Sequence, residues 1–178
     1  ADEATALLDR LRHSYHRSRD VLGFRRSAAA FGALPIDAYS HTPGDRGAQQ
    51  PGMTGQVKEE LITRRMELGL RFESGEIRFT PSLILEDEWR DDEKEWSIPA
   101  GDRAPSRSIP VPSAGIGFQM CGVPVVYRRG DGPRRIHVTD RDGNTSVVEG
   151  HTIDASTARG IFERDGQVSM LMVDVSGR

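Results

Sequence analysis

The chain has 178 residues, 36% of them apolar and 29% charged, with a net charge of −3. That length suits one domain, or one domain with an appendage, and is enough to bury a core; the charge balance excludes the broad basic field of a nucleic-acid-binding surface. The single cysteine, Cys121, excludes an intramolecular disulfide, and no apolar run approaches the ~18 residues that span a bilayer, so neither nucleic acid nor membrane is expected as a partner and a cytoplasmic location is expected.

Residues 3–22 read as a helix. Leu7, Leu8, Leu11, Tyr15 and Leu22 recur near the 3.6 period, and Gly23 is a reasonable stop. Residues 24–50 carry no period and are rich in Ala, Gly and Pro. A stretch of this kind, longer than most loops of compact domains, is usually functional or supported by something else. A second helix begins near Pro51, with Thr54 as an alternative cap. Met53, Val57, Leu61 and Leu68 share a stripe that Ile62 and Met66 widen, and Gly69 ends it.

Beyond Gly69 the period changes from helical to alternating. "LRFESGEIRF" alternates around Ser74-Gly75 and reads as a β-hairpin, and "TPSLIL" as the start of a strand or a short turn. Residues 86–113 run from an acidic stretch into one dominated by Pro, Ser and Arg, and are expected to form an exposed excursion. Trp89 and Trp96 within it would either anchor it to the core or stack on a sugar face. The last third reads as short strands: "AGIGFQMCG", "VPVVYRR", "RRIHVTDRDG", "TSVVEGHTID" and "QVSMLMVDV". Turn signals fall at Gly130–Pro133, Asp142–Asn144 and Asp165-Gly166. Cys121, among apolar neighbours, is expected to be a buried, inert thiol. The expected class is therefore mixed α+β, two N-terminal helices followed by an antiparallel β-sandwich or jelly roll. Its parts would be a helical segment with a glycine-rich loop (1–69) and a β-sandwich (70–178) with the excursion at 86–113.

Established catalytic patterns are missing. There is no G-x-S-x-G, no Walker loop, and "AGIGFQ" lacks the helix that a dinucleotide site requires. His13 and His16 could share a helix face, but no third ligand lies nearby, and His41, His137 and His151 are isolated in sequence. No metal and no cofactor is expected. What stands out is "YSHTPGDRGAQQPGMTGQVKEE", residues 39–60. Its Tyr, His and Gln side chains suit a neutral polyhydroxyl ligand, its glycines allow close backbone approach, and a helix N-terminus follows that would suit an anion. The plainer alternative is that Glu60 pairs with Arg64 on a wet face and the glycines only permit tight packing.

That run, followed by "GLRFESGEIRFTPSL" and a β region ending in "RRIHVTDRDGNTSVVEGHTID", resembles the C-terminal end of an (α/α)6-barrel glycoside hydrolase or glycoside phosphorylase, where the last barrel helices lead into a β-sandwich cap. The resemblance is one of layout and covers most of residues 37–175. It implies that Gln49, Gln50, Thr54, Gly55 and Lys58 line a saccharide pocket with Tyr39 and His41 nearby, and that Glu59 is the candidate catalytic carboxylate. It further implies an oligosaccharide or glucan ligand, and phosphate if the reaction is phosphorolysis. Because the chain supplies only two helices, the remainder of a larger enzyme or another subunit would complete the barrel. The alternative of a different class is a non-catalytic β-sandwich module that binds a partner protein or a saccharide.

Overall fold

The computed structural model describes residues 3–22, 54–98 and 106–176, with the backbone alone at residues 19–22, 54–60 and 176. The chain divides into two compact units, Ala1–Met66 and Glu67–Arg178. The described part of the first contains α1 (Glu3–Leu22) and most of α2 (Thr54–Glu67). The described part of the second holds ten strands, a 3-10 turn and one further α-helix. The mixed α+β class expected from the sequence is what the structure has: helices near the N-terminus, then mostly antiparallel sheets.

α2 stops where glycine makes stopping cheap. Gly69 has φ +70°, and a Cβ there would sit 2.2 Å from the Thr80 carbonyl carbon. The same closeness lets Gly69 O accept from Thr80 N at 2.9 Å, which starts the first hairpin. β1 (Leu70–Glu73) and β2 (Glu76–Phe79) pair around Ser74 and Gly75, both at positive φ, the geometry of a two-residue turn whose twist matches its strands. β9 (Thr152–Ile153) joins β2 antiparallel to complete a three-stranded sheet.

The larger sheet has the order β5-β6-β10-β7-β8, with β5 at Gly115–Met120, β6 at Val123–Gly130, β7 at Arg135–Asp140, β8 at Thr145–Glu149 and β10 at Val168–Ser176. β5–β6 and β7–β8 are hairpins that do not pair with each other. The last strand, β10, lies between them, parallel to β6 and antiparallel to β7. Gly130–Pro133 carries the chain across the end of that gap. The parallel pair needs a crossover, and part of it is α3 (Ala155–Glu163).

The sequence marks no element over residues 155–164 and Asp165-Gly166 only as a turn between strands, so α3 is an addition made by the structure. Its cause is local. Asp154 stands in extended conformation, and its carboxylate accepts from Ser156 N at 2.8 Å and Thr157 N at 3.0 Å, satisfying two of the free donors of a helix start. Arg164 ends it in left-handed conformation. Ala158 and Ile161 point inward. The Asp165-Gly166 turn therefore separates a helix from a strand, not two strands.

One face of the five-stranded sheet builds the main core. Val125, Tyr127, Ile136, Leu171 and Val173 are fully buried there with Ile77, Phe79 and Ile153 of the small sheet and Ala158 and Ile161 of α3. Tyr127 makes edge-to-face contacts with Phe79 and Phe118. Its hydroxyl donates to Leu68 O at 2.6 Å, so this buried phenol is satisfied.

The excursion at 86–113 is exposed at most of its described residues, as expected, but Trp89, Ile98, Ile109 and Val111 are buried. Its described parts are ordered and partly buried: a 3-10 turn at Glu86–Glu88, then a hairpin of β3 (Lys94–Ile98) and β4 (Arg107–Val111). Ile98, Ile109 and Val111 form a second cluster with Val126, which faces away from the main core. A single β6 strand is thus buried on both faces. The tryptophans serve as anchors. Trp89 is buried, with the Arg129 guanidinium 4.2 Å from its ring centre, and Arg129 also pairs with Glu86. Trp96 lies against Gly117, where there is no side chain to keep it away. "TPSLIL" forms no strand; Ile84 within it is buried in the main core.

Candidate functional site

The residues that the sequence marks for a saccharide pocket are placed unevenly. Tyr39, His41, Gln49 and Gln50 lie outside the described residues. Thr54, Gly55, Lys58 and Glu59 fall in the first two turns of α2, where the backbone alone is described. Thr54 is the first described residue of that helix, and the expected start near Pro51 lies outside the described residues.

The described sites lie elsewhere, on the β-rich unit. A cavity of about 710 Å³, open to solvent, sits at one end of the five-stranded sheet. Three turns and a strand meet there: Cys121-Gly122 between β5 and β6, Arg141–Gly143 between β7 and β8, Arg164–Gly166 after α3, and Arg107 of β4. Its arginines are differently engaged. Arg107 donates to Ser169 O at 3.3 Å, whereas the side chains of Arg141 and Arg164 bond to no other described residue. The carboxylates of this wall are already committed. Asp140 accepts from Asp142 N and Asn144 N at 2.8 and 2.9 Å, and hydrogen bonds from Asn144 hold its carboxyl below the usual range. Asp165 accepts from Gln167 N at 2.8 Å. A cavity with engaged carboxylates and two unengaged guanidiniums offers donors to an anion or a polyol. Of its two carboxylates, Asp140 is bonded at both oxygens and Asp165 at one.

Cys121 belongs to this wall and corrects the buried-thiol expectation. It is half-exposed and stands at φ +52° in a two-residue turn with Gly122 at +88°. It still packs against the main core, and its place in the turn leaves its other side open to the cavity.

A second constellation crosses the uncovered part of the sheet's other face. Asp174 on β10 has Arg128 of β6 and Arg135 of β7 as its cross-strand neighbours. Its carboxylate accepts from Arg128 Nε at 2.7 Å and lies 2.9 Å from His137 Nε2. Burial raises the Asp174 carboxyl, but the bonds from Arg128 and His137 outweigh it, and the group sits below the usual carboxylate range. Arg135 pairs with Glu149 of β8 at 3.0 Å. His137, isolated in sequence, is therefore half of a His–Asp pair, because β7 and β10 are neighbours only in space. A His–Asp pair orients an imidazole, but no serine or cysteine hydrogen bond completes a nucleophile here among the described residues.

Among the described residues no group of three His, Cys, Asp or Glu is placed to hold a metal ion, and no helix is long and apolar enough to cross a membrane. The chain matches no protein-family model and no curated protein at a significant level.

Proposed function

We propose that the chain is part of a carbohydrate-active enzyme that cleaves glycosidic bonds in a glucan or oligosaccharide, its two long helices belonging to an (α/α)6 barrel and its β-rich unit capping that barrel. Residues 39–60 then supply groups to the sugar and, in a phosphorylase, to phosphate. Glu59 is the candidate carboxylate; an inverting reaction would set it roughly 6.5–9.5 Å from a second one across the sugar.

The observation that carries this reading is the orientation of the two helices' apolar residues. On α1, Leu7 and Leu11 are each 62% exposed, while Arg12 and His16 are 7% and 3% exposed. On α2, Leu61 and Met66 are 67% and 60% exposed, while Thr63 and Arg64 are partly buried. A helix that folds onto its own domain buries its leucines and shows its arginines. Both helices show arginines (Arg10, Arg17 and Arg65) as expected, but they also leave Leu7, Leu11, Leu61 and Met66 in solvent while Arg12 and Arg64 are drawn in, and those exposed apolar residues suit helices packed between others in a larger bundle. Each Leu buried there contributes roughly 1.5–3 kcal/mol.

Calorimetric titration of the purified chain with a series of glucan oligosaccharides, alongside sedimentation, tests the reading. Expected are saturable binding weakened about tenfold (about 1.4 kcal/mol) by Gln50→Ala or His41→Ala, and self-association that Leu7→Ser/Leu11→Ser relieves. A monomer that takes up no oligosaccharide would overturn it.

A second reading, a non-catalytic module that binds a partner protein or a saccharide, is favoured by one observation: both carboxylates of the cavity beside Cys121 accept from backbone N–H groups. Saccharide binding through Arg141 and Arg164, indifferent to Gln50→Ala, would select it.

A further inference from the structure

The three-stranded sheet has a core face and an outer face. Ile77 and Phe79 of β2 point inward and are fully buried, so alternation places Arg78 on the outer face. Arg78 is only half-exposed, and its Nε is shut off from solvent with no hydrogen-bond partner. Its guanidinium makes no hydrogen bond or ion pair to any other described residue. Glu73 and Glu76 share this face of the hairpin, yet neither bonds to it. A charged donor withdrawn from water without a partner is costly, and a native structure that keeps one calls for a further ligand.

Other basic groups are gathered around the same point by backbone pairing. Thr152 of β9 is the cross-strand partner of Arg78. His151 precedes it and accepts from Phe79 N through its carbonyl at 2.9 Å. Gly150 N donates to Arg134 O at 2.8 Å, which brings Arg134 beside them. The field at this point is positive. Burial first, then Arg134 and Arg78, push the His151 imidazole below its ordinary range. Arg71, directly opposite Arg78 on β1, adds a further positive charge to the face.

We propose that Arg78, with Arg134, His151 and the Thr152 hydroxyl around it, forms a binding site for a phosphate group, free or carried on a small organic molecule. A guanidinium presents a rigid fork that matches two oxygens of a phosphate, and its Nε is one of the donors such a fork uses. The imidazole and hydroxyl supply donors to the remaining oxygens. A dianion suits a point where two guanidiniums meet beside an imidazole better than a monoanionic carboxylate does. This site lies on the β-rich unit and does not depend on the saccharide reading of residues 39–60.

The test is a titration of the full chain with inorganic phosphate at low ionic strength, followed by calorimetry and by the NMR signals of His151, with glucose 6-phosphate and acetate as further arms. Expected are saturable phosphate binding, an upward move of the His151 titration on saturation, and at least tenfold weaker binding in Arg78→Gln. Arg134→Gln, which leaves Arg78 in place, is expected to weaken it several-fold, and Lys94→Gln on β3, in a different sheet, to leave it unchanged. Tighter binding of glucose 6-phosphate than of phosphate would assign the carried group, and the reverse the free ion. Absence of saturable binding, equal affinity for acetate, or affinity unchanged in both Arg78→Gln and Arg134→Gln would overturn the proposal.

Discussion

Replacing Tyr127 by Phe removes one oxygen from the centre of the β-rich unit and nothing else. The ring is fully buried, and its contacts with Phe79 and Phe118, at centroid separations of 6.2 and 5.0 Å, survive in Phe. What is lost is the 2.6 Å hydrogen bond to Leu68 O, at the junction between α2 and β1. The low-dielectric surroundings that push the Tyr127 phenol well above its ordinary range also leave the Leu68 carbonyl without a ready substitute. A buried acceptor stripped of its donor costs about 1–3 kcal/mol. With a urea slope of roughly 2 kcal/mol per molar, the unfolding midpoint should fall by about 1 M. Far-UV circular dichroism reports the unfolding, and the native spectrum should be unchanged, because sheet pairing is untouched. A midpoint that does not move would mean that water or another donor already reaches Leu68, and the argument that the hydroxyl pins the start of the first hairpin would fail.

Two further outcomes follow from the packing and the charges. In Gly117→Ala the new methyl would lie 2.8 Å from Trp96 Cε3 and 3.1 Å from Val111 Cγ2; overpacking of this kind costs about 1–3 kcal/mol. Trp96 emission should shift to the red with the sheet intact, and emission and midpoint both identical to wild type would contradict the seating of the β3–β4 hairpin. Asp174 is held ionised in the folded state by Arg128 and His137, so its contribution is complete above about pH 4, the unfolded value, and is lost as pH falls through the lower folded value. The urea-midpoint gap between wild type and Asp174→Asn should therefore be wide at pH 7 and narrow at pH 2.5; a gap that stays constant would remove the carboxylate from the account.

Local chemistry carried much of this molecule into its sequence. The period break at Gly69, the Ser74-Gly75 turn and the five alternating runs of the last third all mark real elements, because each rests on neighbours within a few residues. The signal for α3 was equally local, Asp154 followed by Ser, Thr and Ala with Gly166 beyond, but the β-branched runs on either side concealed it. The order of the strands was not local. Nothing in "QVSMLMVDV" says that it enters between two finished hairpins, and only that insertion makes His137 and Asp174 neighbours. The ordered hairpin inside the Pro- and Ser-rich stretch was likewise decided by tertiary contact: Val126, on the second face of β6, needed cover, and Ile98, Ile109 and Val111 provide it. Composition fixes how readily a segment takes up a shape, whereas burial against a distant surface decides whether it keeps one. For the same reason Arg78 reads as one more exposed strand charge until pairing with β9 encloses its Nε and sets Arg134 and His151 beside it.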